Sequence, residues 1–263
     1  MNETVLRLGI FAGALILFST LEALFPRRQR NLPLQERWLT HLGITIIDSL
    51  AVRILGPLTA IAVAIWANGK GIGLFNLTEF PLWVEVTLAF ILLDFAIYLQ
   101  HVISHRVPFF WRFHKVHHTD RDLDASSAVR FHPVEILLSM LYKCGLVLLI
   151  GPAAIAVLIF EIVLNASAIF NHANLKLPLG LDKILRSVIV TPDMHRVHHS
   201  VIEMETNSNY GFNFSIWDKL CRTYKAQPEA GHDGMTIGLS EHQSSAPAKL
   251  LWSLKLPFAK SSK

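Results

Sequence analysis

Cysteine is nearly absent from this chain: Cys144 and Cys221 are the only two in 263 residues. They form no CxxC pair or other metal-site spacing, and they offer no disulfide framework. A reducing environment around the working end is compatible with that scarcity. Charge is thin as well. Only 17% of residues are charged against 52% apolar, and the mean hydropathy is +0.40. That is too apolar for an ordinary soluble domain, so the first reading is a membrane protein. The net charge of +4 and pI near 9.1 would suit nucleic acid. The basic residues instead sit beside apolar stretches, as topology signals do, and no nucleic-acid motif is present, so no nucleic-acid partner is expected. There is no G-x-G-x-x-G fingerprint and no haem motif, so no bound flavin, NAD or haem is expected. The segment Met1 to Thr4 lacks a basic n-region, and Leu21 to Pro26 has no small-x-small cleavage site before Arg27 and Arg28. A retained helix is expected there rather than a cleaved signal.

Four long apolar segments fill part of the space these absences leave. Val5 to Phe25 has the ~20 residues that a bilayer requires. Leu39 to Trp66 contains Asp48, Arg53 and a Gly56-Pro57 break, so a tilted, kinked or partly interfacial path is expected. Leu82 to Leu99 runs straight into a histidine pair. Val134 to Phe170, interrupted by Gly151-Pro152, is too long for one span and reads as a helical hairpin. Arg27, Arg28, Arg30 and Arg37 place the first loop in the cytoplasm, and Ala67 to Pro81 falls on the opposite side. The third span then returns to the cytoplasmic face, where Arg106, Arg112, Lys115, Arg121 and Arg130 follow. Only a hairpin over Val134 to Phe170 brings the remaining histidines back to that face.

Eight histidines fall in three groups: His101/His105, His114/His117/His118 and His195/His198/His199. Their spacings are H-x3-H, H-x2-H-H and H-x2-H-H. Residues three and four apart share a helix face, so each group can aim its rings at one point. Imidazole is a strong ligand for iron, zinc, copper and nickel, and eight ligands suit two ions rather than one. Members of an adjacent pair lie about 100° apart and can serve different ions. Pro192 and Asp193 mark a helix start before the last group. His172, closing the hairpin in Phe170-Asn171-His172-Ala173-Asn174, is a further candidate ligand. His132, in Phe131-His132-Pro133-Val134-Glu135, could bind metal or cap the helix it precedes. His41, His232 and His242 are isolated and read as ordinary polar residues. Asp94 and Tyr98 share the His101 face. Asp94 either orients a metal-bound imidazole through its second nitrogen or bonds to another helix. Few carboxylates accompany the histidines, unlike a soluble di-iron bundle with its Glu and Glu-x-x-His ligands.

The chain resembles the fatty acid hydroxylase/sterol desaturase superfamily of integral-membrane di-iron oxygenases. His101-x3-His105, His114-Lys-Val-His117-His118 and His195-Arg-Val-His198-His199 match its histidine boxes in order. Asp94-x3-Tyr98-x2-His101, Phe131 to Glu135, Asn209-Tyr210-Gly211 and Trp217-Asp218-Lys219-Leu220 are similar too. The resemblance runs from about Leu82 to Tyr224. One departure is Cys221-Arg222, where many relatives carry an aromatic residue and a glycine; it bears on a local turn, not on the metal site. The resemblance implies two iron ions and O2 as co-substrate, acting on a lipid C–H bond by hydroxylation or desaturation. It also implies electrons from a separate donor, a ferredoxin or a b5-type cytochrome with its reductase. Phe109, Phe110, Trp111, Phe113, Tyr210, Phe212, Phe214 and Trp217 would line a lipid entrance, or serve as interface anchors and packing.

Two other readings use the same histidines. A membrane zinc hydrolase would work without O2 or reductant. A metal transporter or buffering protein would place its ligands at mid-membrane, whereas these cluster at and beyond a helix end. A purely structural metal site is the third. The expected architecture is all-α: a polytopic membrane protein with about four membrane helices and a cytoplasmic helical cap holding both ions. The expected division is 1–81 N-terminal membrane helices, 82–224 catalytic domain and 225–263 C-terminal tail. Leu250 to Phe258 in that tail is weakly amphipathic, a membrane-surface segment or a frayed end. A bacterial inner membrane is expected in preference to the endoplasmic reticulum.

Overall fold

The protein is described by a computed structural model covering residues 3–56 and 58–259. Nine helices carry the architecture: α1 (Glu3–Leu24), α2 (Leu34–Ile54), α3 (Ala60–Lys70), α4 (Leu82–Arg106), α5 (Pro108–His118), α6 (Pro133–Ile150), α7 (Ala154–His172), α8 (Leu179–Leu185) and α9 (Pro192–His198). Single turns and short helices join or follow them. Among the described residues there is no strand, only three isolated bridges. Among the described residues five segments are long and apolar enough to cross a membrane: Glu3–Leu24, Ala60–Leu77, Leu82–Arg106, Pro133–Ile150 and Ala154–His172. The chain is thus an all-α polytopic membrane protein with one candidate span more than expected.

The fifth span arises because both arms of the hairpin, α6 and α7, are long enough to cross; the Leu39 to Trp66 run divides into α2, which is not among the five, and α3, which begins one of them. Thr59 caps α3 by accepting from Ala62 N at 3.1 Å. The hairpin forms as the sequence predicts. Gly151 ends α6 at φ +68, a left-handed conformation that favours glycine, and Pro152 prevents the helix continuing. A Cβ on Gly73 would collide with the Gly151 backbone, so two glycines let the α3–α4 connection cross the α6–α7 turn. Glu85 accepts from Ala153 N at the α7 N-terminus, where a carboxylate complements the helix dipole.

Helices α3, α4, α6 and α7 interlock through Ile61, Ala64, Leu93, Ile97, Val147 and Phe160. Ala60, Ala64, Ala89 and Ala156 are fully or almost fully buried. Small residues allow close backbone approach, which matters where lipid is as apolar as leucine and packing must hold helices together. None of the most apolar window of α1 is buried, and Leu8, Ile16 and Leu17 point outward, as lipid-facing side chains do.

One end of the bundle gathers the C-termini of α1, α4 and α7 with the N-termini of α2 and α6. Arg27 N donates to Asn174 O, joining the ends of α1 and α7. Buried ion pairs fasten the connection from Thr119 to Arg130 to this end. Arg37 clamps Asp120 through two bonds of 2.9 and 2.7 Å and also contacts Asp124. Burial alone would raise the Asp120 carboxyl, but the Arg37 charge prevails and holds it well below the usual carboxylate range. His41 is part of the same cluster, with Nδ1 2.8 Å from Ser126 Oγ. Arg130 reaches Thr119 Oγ1, Pro247 O and Ser253 Oγ. That last contact corrects the expectation of a frayed tail. The helix Leu250–Lys255 packs on α2, with Ser253 and Leu256 buried.

Candidate metal centre

The histidine boxes lie where α4, α5, α7 and α9 converge at this end. Val107 and Pro108 break α4 from α5, with proline at the first helical position of α5. The bend folds His114, His117 and His118 back over His101 and His105. Thr191 caps α9, Pro192 begins it, and His195 and His198 face inward with His199 closing the turn. Nine histidines form two groups. One holds His101, His105, His114, His118 and His198; the other holds His117, His172, His195 and His199. Within each group the ligand atoms lie within 4.8 Å of one another. Each adjacent pair is divided, with His118 and His198 in the first group and His117 and His199 in the second. The groups abut, since the His118 and His199 rings stack at 4.5 Å.

The ring nitrogens identify the chemistry. His101 Nδ1 donates to Tyr210 O, His198 Nδ1 to Ser208 O and His172 Nδ1 to Ala168 O, each at 2.7 Å. His114 Nδ1 donates to Glu135 Oε1 at 2.6 Å. A proton on Nδ1 leaves a lone pair on Nε2, and the Nε2 atoms of His101, His114 and His198 are buried without a partner. In the second group His172 Nε2 stands 3.0 Å from both His117 Nε2 and His195 Nε2, and His199 Nε2 stands 3.2 Å from His195 Nε2. Tetrahedral ligands about 2.1 Å from a shared ion would sit about 3.4 Å apart. Converging lone pairs at nearly that spacing, sealed from water, fit metal ions. Burial, reinforced by neighbouring imidazoles, pushes His117, His118, His195 and His199 well below the ordinary histidine value. Burial brings His198 to about 3. Neutral imidazole is the form that binds metal.

His132 stands outside both groups. Its Nδ1 accepts from Val134 N at 3.2 Å as the cap of α6, and its Nε2 faces Leu254 O at 3.3 Å. Both nitrogens are thus occupied, which corrects its place among the candidate ligands. Asp94 bonds to no histidine. It accepts from Asn213 Nδ2 and Trp217 Nε1, both at 2.8 Å, and from Phe214 N at 3.2 Å, so it ties α4 to the segment 213–217. Of the alternatives for Asp94, the structure selects the bond to another element. His232 is buried 3.6 Å from Asp193, and His242 packs on Trp252.

Residues without an assigned part in the sequence complete the site. Glu135 orients His114. Asp218 accepts from Tyr210 N and Gly211 N, both at 2.8 Å, and so fixes the strip whose carbonyls hold His101 and His198. Gly211 is required there, because a Cβ would meet Phe214 O at 2.8 Å and Asp218 Oδ2 at 2.9 Å. Phe131 stacks on His117 at 4.3 Å. Asp218 and Glu135 lie in stretches that the family resemblance had already marked, but their bonds depend on the fold.

A cavity of about 500 Å³ opens beside His101 and His114, between α2, α4, α6 and α7. Apolar residues such as Ile97, Val129, Phe131, Ile136, Leu164 and Phe212 form much of its wall. Of the aromatic residues expected at a lipid entrance, Phe212 lines this cavity, and Phe110 and Phe113 line a neighbouring one of about 260 Å³. Tyr210 packs on the rings of His101 and His105, and Trp217 packs on Phe95.

Fold and site together define a polytopic helical membrane protein with a histidine-built, metal-type centre next to a cavity. Residues 86–223 match the fatty acid hydroxylase family, and the chain belongs to that family. The ornithine lipid hydroxylase OlsE of Rhizobium tropici is 31% identical over 57% of this chain and 44% of its own length. The human alkylglycerol monooxygenase is 31% identical over 66% of this chain and 37% of its own length. The rat cholesterol 25-hydroxylase is 24% identical, with 56% and 48% covered. The chain therefore matches less than half the length of each of these relatives. No solved structure matches.

Proposed function

We propose that this protein is a membrane-bound, O2-dependent lipid oxygenase that holds two iron ions in its nine clustered histidines and hydroxylates a C–H bond of a lipid. The carrying observation is the pair of histidine groups, with Nε2 lone pairs converging and dry, at the head of a cavity between membrane helices. The names of the relatives, two hydroxylases and a monooxygenase acting on lipids, support hydroxylation. Bound iron, with O2 and two electrons, supplies the oxidising power for attack on an unactivated C–H bond. The chain's own residues do the rest. Glu135, Tyr210 O, Ser208 O and Ala168 O hold the imidazoles in one tautomer and one orientation, and the apolar cavity wall positions the substrate and excludes water.

The electrons come from an external donor, a ferredoxin or a b5-type cytochrome with its reductase. The histidine end faces the cytoplasm, in keeping with Arg27, Arg28, Arg112, Lys115 and Arg121 at that end and Lys70 at the other. A bacterial inner membrane is the proposed location. Residues 1–81 anchor the chain, 82–224 carry the ligands, and the segment after Tyr224 straps the site from outside.

Metal content and O2 uptake of detergent-purified protein test this reading, wild type beside His118→Ala. Both ring nitrogens of His118 are buried without a hydrogen-bond partner, so its removal strikes the site and not a structural bond. Two irons per chain, and lipid- and reductant-dependent O2 uptake lost in the variant, are expected. Zinc occupancy after iron-replete expression, with no O2 uptake from any donor, would overturn the reading in favour of a zinc-dependent hydrolase.

A further inference from the structure

The buried face of α2 carries Arg37, Thr40, His41, Ile44 and Asp48. The first three polar residues are all partnered: Arg37 with Asp120, Thr40 with Ala248 O and His41 with Ser126. Asp48 is not. It lines the cavity beside His101 and His114, is only 8% exposed, and its Oδ1 is buried with no hydrogen-bond partner among the described residues. A buried carboxylate among membrane helices is costly unless something donates to it.

The other cavity walls do not supply that donor. Lys143 also lines the cavity, but its Nζ is 2.6 Å from Glu161 Oε1, and Arg7 contacts the same carboxylate. Ser139 Oγ is directed at Gln100 Oε1, 3.4 Å away. Thr45 and Ser49 each donate back to their own helix. Glu135 spends Oε1 on His114, and its Oε2 is a second buried acceptor without a partner. The polar lining thus includes two carboxyl oxygens, Asp48 Oδ1 and Glu135 Oε2, that receive no hydrogen bond, although the amides of Gln100 and Asn165 and the Ser104 hydroxyl also face this cavity. Its volume of about 500 Å³ is within the range of small-ligand sites. Ser49 on α2 and Asn165 on α7 are exposed, so the cavity reaches the surface between these helices.

We propose that this cavity binds a lipid through a hydrogen-bond donor, a hydroxyl or an ammonium group, received by Asp48, with the apolar remainder along Ile97, Ile136 and Leu164. Asp48 on α2 and Glu135 on α6 lie close enough to repel as anions, a repulsion that an ammonium or hydroxyl donor relieves and a phosphate or carboxylate would add to. The proposal deepens the oxygenase reading and rests on it for the identity of the bound molecule as substrate. Asp48 acts here as a specificity-determining residue, not as a metal ligand.

The test is equilibrium binding to the full chain in phosphatidylcholine nanodiscs, read by displacement of a fluorescent alkyl probe. Three competitors of equal chain length are used: hexadecylglycerol, hexadecylamine and methyl hexadecanoate, which has no donor. Wild type is expected to favour at least one of the first two over the ester by about 10- to 100-fold, the range of one hydrogen bond to a charged group. Asp48→Leu should erase that preference and leave metal content unchanged. Asp48→Asn, isosteric and still an acceptor, separates the two donors: it keeps a hydroxyl preference and loses an ammonium preference. Equal binding of all three by wild type, or a preference that survives in Asp48→Leu, overturns the proposal. Binding requires neither O2 nor electrons. Protein that consumes no O2 yet shows the Asp48-dependent preference keeps the binding site and loses the oxygenase reading. Protein that consumes O2 without the preference keeps the oxygenase reading and loses the binding site.

Discussion

Replacing Glu135 should weaken one metal ion and spare the other. Its Oε1 accepts from His114 Nδ1 at 2.6 Å, a charge-assisted bond that holds the Nε2 lone pair toward the five-histidine group. Glutamine in its place still accepts, but without charge. A hydrogen bond to a charged group contributes about 1.5–3 kcal/mol and a neutral one about 0.5–1.5 kcal/mol. The difference, about 1–1.5 kcal/mol, corresponds to roughly 5- to 13-fold in affinity. Glu135→Leu removes the acceptor altogether and should reach the 10- to 100-fold typical of losing a ligand's orienting partner. Glu135 bonds to none of His117, His172, His195 and His199, so the four-histidine group should be unaffected. The assay is a chelator titration of iron-loaded protein, following the release of both ions. A selective shift of one release step is expected, graded from Gln to Leu. Equal weakening of both ions, or no weakening in either variant, would refute the account of His114 as a ligand aimed by Glu135.

Three further outcomes follow from the same geometry. Gly211→Ala forces a Cβ against Phe214 O and Asp218 Oδ2; a loss of about 1–3 kcal/mol is expected, seen as a lower melting temperature together with weaker binding at the His101/His198 group. Arg222 occupies the left-handed region at φ +59, which favours glycine; Arg222→Gly should stabilise by about 1 kcal/mol, and an unchanged or lower melting temperature would count against strain at that turn. Burial holds His117, His118, His195 and His199 well below the ordinary histidine value, and His198 at about 3. The unfolded chain takes up these protons near pH 6.5, so below that pH it binds more protons than the fold does. Stability of chelator-stripped protein should therefore be intact above about pH 6.5 and fall as the pH drops, by up to about 1.4 kcal/mol per unit per group. Melting curves from about pH 8 to pH 5 check the sign, and a flat profile would show that the rings are not held neutral.

Much of this was legible before folding because the relevant signals are local. Helix length, apolar runs and the Gly151-Pro152 break act within a few residues, and they set the hairpin; the bend between α4 and α5 at Val107-Pro108 came from the structure. The H-x2-H-H spacing is an angular statement about one helix, which is why the division of adjacent histidines between two groups could be expected from sequence alone. The position of α3 was not legible: a single apolar run hides whether a break at Gly56-Pro57 makes one kinked helix or two. His132 shows a different limit. Its neighbours were read correctly as a helix start, but whether its ring caps or ligates depends on Leu254, more than a hundred residues away, occupying the second nitrogen.

The sequence by itself determined which histidines gather, the membrane setting and the end of the bundle where they gather. These follow from residue chemistry, helical periodicity and hydropathy, none of which needs a distant partner. Only the tertiary structure decided that Asp94 ties α4 to the segment 213–217 rather than to an imidazole. It alone decided that carbonyls 208 and 210, held by Asp218, orient His198 and His101, and that Asp48 Oδ1 faces a cavity without a hydrogen bond from any described residue. A carboxylate's role is set by which donors the fold brings within hydrogen-bonding distance of it, and those donors come from segments far apart in the chain.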